Sequence, residues 1–159
     1  MKFERFVKQL ASTGTIYERL DVEERWLASP TVYMLIPELT RSVTATGIYN
    51  MPPEIDKIID AISNVEDAHL TRAIMPYADG SIKDCLRVYA TRNGVSMAIS
   101  NDDYSLIEKS DLTEILYRYD LDSNGYEPVA LLVKQYPKLP TETDVTLVGV
   151  IFPAEMPEN

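Results

Sequence analysis

The chain is predicted to be an α+β protein: N-terminal helices packed on an antiparallel sheet of about five strands, with one inserted helix. Three observations predict this. Apolar residues recur at helical spacing over residues 1–66. The spacing changes to alternation from residue 67 onward. Strand–helix alternation, which a parallel doubly wound sheet requires, is absent. The 159 residues fit a single domain, with a helical part at 1–66 and a β-rich part at 67–159 holding a helix at 110–119.

The elements follow in order. Phe3, Phe6, Val7 and Leu10 form one stripe of a 3.6-residue period, and Ser12-Thr13-Gly14 stops that helix. Thr15 with Glu18 three residues on is a capping-box pattern, so a second helix is expected with Ile16, Leu20 and Leu27 inward and Trp26 near its end. Ser29-Pro30 reads as an N-cap with proline at the first helical position. Val32, Leu35, Ile36 and Leu39 then make a third stripe, kinked at Pro37 and ended by Gly47. Met51-Pro52-Pro53 is a rigid connector. Ile55, Ile58, Ile59 and Ile62 give the cleanest amphipathic helix of the chain.

Beyond it, Leu70–Tyr77 and Ile82–Thr91 read as a hairpin turned at Ala78-Asp79-Gly80-Ser81. Asn93-Gly94 suits a type I′ turn, and Val95, Met97 and Ile99 alternate as a third strand. Ser110 reads as the cap of the inserted helix, with Leu112, Ile115, Leu116 and Tyr119 inward and Asp111 and Glu114 outward. Asp120–Gly125 is a turn. Val129–Tyr136 and Asp144–Phe152 form a second hairpin in the same sheet. The tail Pro153–Asn159 has nothing to bury.

Composition excludes several chemistries. One cysteine, Cys85, and one histidine, His69, are too few for a four-ligand zinc site or a four-thiolate cluster. A lone cysteine makes no internal disulfide, which fits a reducing compartment, and the expected location is cytoplasmic. The start MKFERFVKQL lacks the apolar run of a signal peptide, and no stretch reaches membrane-spanning length. Phosphate-cradling and nucleophile-elbow motifs are absent. No cofactor is expected.

Charge supplies the remaining signal. The chain holds 25 acidic against 15 basic residues, net −10, and the basic residues are scattered singly. Direct nucleic-acid binding is therefore disfavoured. Between Asp102 and Glu127 lie eight acids against Lys109 and Arg118. Tyrosine, enriched at interfaces, is abundant there. Asp102, Asp103, Tyr104, Glu108, Asp111, Glu114, Tyr117, Asp120, Asp122 and Tyr126 are the expected partner-binding residues, and a basic protein surface is the expected partner.

Four smaller features have plainer readings. Asp120-Leu121-Asp122-Ser123-Asn124-Gly125 matches half of a calcium loop, but position 9 is Pro128 and position 12 is Leu131, so a turn is expected. His69 lies beside Glu66 and Asp67, as a general base would, at a helix-to-strand transition where polar residues are ordinary. Cys85 follows Asp84, whose charge opposes thiolate formation, and reads as a small buried hydrophobe. Asp102, Asp103 and Glu108 lack a third ligand at helical spacing and read as a solvated loop.

The functional expectation is a small acidic interaction protein rather than an enzyme. Such a chain suits an accessory factor of a virus or mobile element, including an inhibitor that imitates nucleic acid in a basic channel. One alternative is a structural subunit of a homo-oligomer or virion, since an open sheet has two edges to cover. Another is an enzyme using scattered carboxylates with a divalent cation.

Overall fold

The computed structural model describes residues 1–38, 40, 43–75, 85–137, 139–141 and 144–154. The fold corrects the expected class. Ten strands form one mixed sheet, and among the described residues only three short helices accompany it. The chain order is α1 (Phe3–Leu10), β1 (Thr15–Arg19), β2 (Glu24–Ala28), β3 (Val32–Leu35), β4 (Ile48–Asn50), α2 (Pro53–Ile59), β5 (Val65–Met75), β6 (Leu86–Thr91), β7 (Ser96–Ser100), α3 (Asn101–Tyr104), β8 (Leu112–Asp120), β9 (Gly125–Gln135) and β10 (Thr146–Ile151). The spatial order is β4-β1-β2-β3-β10-β9-β8-β5-β6-β7. Every pair is antiparallel except β1–β4.

The second expected helix is strands β1 and β2, and the third begins as strand β3, with Leu39 of its stripe outside the described residues; β4 follows beyond Gly47. Thr15, Ile16, Tyr17, Trp26, Val32, Tyr33 and Tyr49 are β-branched or aromatic, types that pack well on a pleated surface. Ile16 and Leu27 pair directly across β1–β2 on the core face, while Leu20 lies 73% exposed in the turn. Ser29 does use its hydroxyl as a cap. Its Oγ accepts from the N–H groups of Thr31 and Val32, closing the β2–β3 turn and not a helix. The first and fourth expected helices do form, as α1 and α2, although Ile62 lies beyond α2 and is 97% exposed.

The inserted helix at 110–119 is strand β8. Ile115 and Leu116 are both buried because β8 is covered on both faces: Ile115 joins one core and Leu116 the other. A strand buried on two sides shows adjacent apolar residues, which imitate the i, i+3, i+4 spacing of a helix. The short helix that precedes it in the chain is α3, capped by Ser100, whose Oγ accepts from the Asp103 N–H.

The expected meander forms as β5–β6–β7, although its first turn, Ala78–Ser81, lies outside the described residues. The β6–β7 loop has one positive φ, at Gly94 (+89°), so it is a turn closed by a left-handed glycine and not a type I′ turn. The expected β9–β10 hairpin also forms.

Strand β5 pairs with β8 near its start and with β6 further along, with a register irregularity between Leu70 and Ile74. The β6–β7 hairpin thereby lies over the sheet face. Tyr89, Met97 and Ile99 share a core with Ile16, Leu27, Met34, Ile115, Leu131 and Ile151, closed also by α1. Helix α2 covers the opposite face over Leu116, Ala130, Leu132 and Val150. Strand β9, at the centre, is buried on both sides from Ala130 to Val133. No helix among the described residues is long and apolar enough to cross a membrane.

A projecting tyrosine arm as candidate interface

Strand β5 pairs with β8 only over Glu114–Leu116, and β10 pairs with β9 only over Leu131–Gln135. The Tyr117 N–H still donates to the Asn64 C=O at 2.9 Å, but residues 118–120 of β8 and 125–128 of β9 pair, among the described residues, only with the other strand of this hairpin. They form a two-stranded arm projecting from the sheet.

Register fixes the arm's two faces. Directly opposed residues share a face, so Tyr119 with Tyr126 and Tyr117 with Pro128 line one side, and Arg118 with Glu127 lines the other. The tyrosine side is a packed aromatic set. Tyr126 stands edge-on to Tyr117 at 5.3 Å between ring centroids and to Tyr119 at 5.5 Å. Tyr117 seats the set on the core, while Tyr119 and Tyr126 are 47% and 62% exposed. Leu121, at the tip, is 84% exposed.

The arm's charges differ in availability. Glu127 is paired with Arg118. Asp120 and Asp122 have no ion-pair partner among the described residues. Hydrogen bonding from the Ser123 side chain and then from the Asp122 N–H holds the Asp120 carboxyl below its ordinary range, so it is charged throughout neutral pH. Asp120 Oδ1 accepts from the Asp122 N–H, and Asn124 Oδ1 accepts from the Tyr119 hydroxyl. The half calcium loop thus spends oxygens on its own turn. Among the described residues no group of three or more His, Cys, Asp or Glu side chains converges as a metal site.

The acidic stretch 102–127 does not form one face. Tyr117, Asp120, Asp122 and Tyr126 come together on the arm. Tyr119, exposed beside them, joins the set because β8 is a strand. The others are engaged elsewhere. The Asp111 side chain is buried, 2.7 Å from the Met1 ammonium, and accepts from the Glu108 N–H. Glu108 lies 3.4 Å from the same ammonium. Glu114 pairs with Lys134 at 2.8 Å across β8–β9. Tyr104 lies under the Arg87 guanidinium, 4.4 Å from the ring centroid. Asp103 sits in α3, where burial pushes its carboxyl up against hydrogen bonds from Thr31 and Ser100, and Asp102 is exposed beside it. With β8 a strand, Asp111 and Asp120 stand about 30 Å apart at ~3.3 Å per residue, roughly twice the separation a helix with ~1.5 Å per residue would give them.

His69 is exposed on β5 and makes no hydrogen bond to Glu66 or Asp67 among the described residues; Glu66 instead accepts from the Asn93 amide. Cys85 is buried and free. Comparison with protein-family profiles, with curated proteins and with solved structures returns no match. The reading of the arm therefore rests on its geometry and charge.

Proposed function

We propose that this protein is a non-enzymatic binding protein that docks a basic protein surface through the 117–128 arm. The observation that carries the reading is a projecting ribbon with exposed Tyr119 and Tyr126 rings on one face, Asp120 on the Arg118–Glu127 face and Asp122 at the turn, neither carboxylate having an ion-pair partner among the described residues. A basic partner that wraps the ribbon can lay a lysine or arginine over an aromatic ring on one face and reach the carboxylates at the turn and on the other. Two strands without lateral neighbours also leave backbone groups for an incoming segment. The setting we propose is cytoplasmic, where the lone Cys85 stays reduced.

Fluorescence anisotropy with a labelled oligoarginine peptide tests the proposal. The double variant Asp120→Asn/Asp122→Asn is expected to weaken binding about tenfold or more at low salt, the equivalent of about 1.4 kcal/mol. Glu4→Gln/Glu54→Gln, which likewise removes two exposed acids, one on α1 and one on α2, serves as the charge control and is expected to bind almost as the wild type does. Equal losses in both variants would reduce the interaction to net charge and refute the arm.

A further inference from the structure

We infer that the outer edge of β4 is a self-association site, where a second copy of this chain adds its own β4 antiparallel across a two-fold axis centred on Tyr49. The inference is independent of the arm.

Strand β4 is the end of the sheet, and all of Ile48–Asn50 is exposed. Its bonds to β1 are flanked by Ile16 N–H to Gly47 C=O at 3.0 Å and Met51 N–H to Glu18 C=O at 2.9 Å. In a parallel ladder this phase turns the N–H and C=O groups of Ile48 and Asn50 away from β1. No hydrogen bond reaches those groups among the described residues. At the other end of the sheet, the β7 edge is partly closed by the Ala154 N–H donating to the Ala98 C=O at 2.8 Å.

The edge selects its occupant in three ways. First, the outward groups are self-complementary. Antiparallel pairing about Tyr49 sets Ile48 against Asn50 of the second copy as a hydrogen-bonded pair, and places the two Tyr49 residues as a closely spaced pair without ladder bonds. Second, residues 43–53 carry no charge in a chain of net −10. Two copies repel each other least through such an edge, and a basic partner finds no carboxylate on it. Third, Tyr49 ends a row of rings. It lies 6.3 Å from Tyr17, which lies 5.5 Å from Tyr33, which meets Phe152 at 5.9 Å. Its ring remains 59% exposed, and Ile48 54%. A second copy continues the row with its own Tyr49.

Sedimentation velocity reads the result. The mass is expected to rise from 18.0 kDa toward about twice that value as concentration increases from about 1 μM to about 500 μM. Added salt should tighten this association by screening like-charged copies. Tyr49→Lys and Tyr49→Glu, each checked for folding by circular dichroism, should be monomeric, and their equimolar mixture should dimerise because opposite charges then face each other. Asp120→Asn/Asp122→Asn should self-associate at least as tightly as the wild type, so loss of the arm's activity is read separately. A wild-type mass fixed at the monomer value, single variants that still dimerise, or a mixture that stays monomeric would each overturn the site.

Discussion

Asp111 shows how far a single acidic residue departs from its surface reading. Its side chain is 1% exposed and is held by the Met1 ammonium. Removing one member of a buried ion pair leaves the other charge without compensation, at a cost of about 3–5 kcal/mol. Asp111→Ala is therefore expected to be strongly destabilised in urea unfolding, whereas Asp122→Ala, on the exposed turn, should change stability by less than about 0.5 kcal/mol. Asp103 differs in sign. Burial raises its carboxyl in the folded chain, so the native state holds a proton at a pH where the unfolded state has released it. Stability from this group falls as pH rises through the folded value, and its penalty is complete at neutral pH. Asp103→Asn should remove that downward contribution, so that melting temperature rises more, or falls less, with pH across the carboxylate range than it does in the wild type. Neither environment is legible in sequence, because both are set by segments remote in the chain: Met1 for Asp111 and Thr31 for Asp103.

At the scale of elements, α2 is held on the sheet by one arginine. Arg19 Nε donates to Asp56 at 2.7 Å and Nη2 to Asp60 at 2.6 Å, both on or at the end of α2, while Nη1 donates to Glu24 at 3.1 Å. Burial alone would lower its pKa, but the hydrogen bonds to Asp56, Asp60 and Glu24 outweigh that and raise it. Arg19→Ala should cost about 1–3 kcal/mol, because three carboxylates lose their counter-charge but are exposed enough for solvent to screen much of the loss. Hydrogen exchange should then speed first in residues 53–60. The amphipathic period of α2 was readable because the helix covers one face only. The strands of residues 15–35 look helical in sequence because Thr15, Glu18 and Ser29 offer side-chain capping chemistry that serves turns as well as helices. Strand β8 looks helical because burial on both faces erases alternation. The arm was hidden with it: a hairpin from 112 to 135 cannot be seen when its first half is taken as helix.

For the whole molecule, net charge sets the sign of both proposed associations. Docking of a basic surface on the arm joins opposite charges, so affinity should fall as the screening length drops from ~10 Å at 0.1 M salt toward ~3 Å at 1 M. Pairing of β4 edges joins like charges through an uncharged strip, so it should strengthen over the same range. Parallel titrations by anisotropy and sedimentation would separate the two. Salt slopes of the same sign would contradict this division. The acidic balance was fully legible in sequence, but its distribution was not. Of the candidate residues, the arm gathers Tyr117, Asp120, Asp122 and Tyr126, and the fold commits Asp111 and Glu114 to internal pairs.

The arm's role as the docking element is tested most directly by mapping amide chemical shifts while the oligoarginine peptide is added. Perturbations should concentrate between Tyr117 and Tyr126 and reach the Tyr119 and Tyr126 ring resonances, leaving the acids of α2 and the β1–β2 turn almost unmoved. Shifts centred on Glu54 and Asp60, or on Asp21 and Glu23, with the arm silent, would contradict the account.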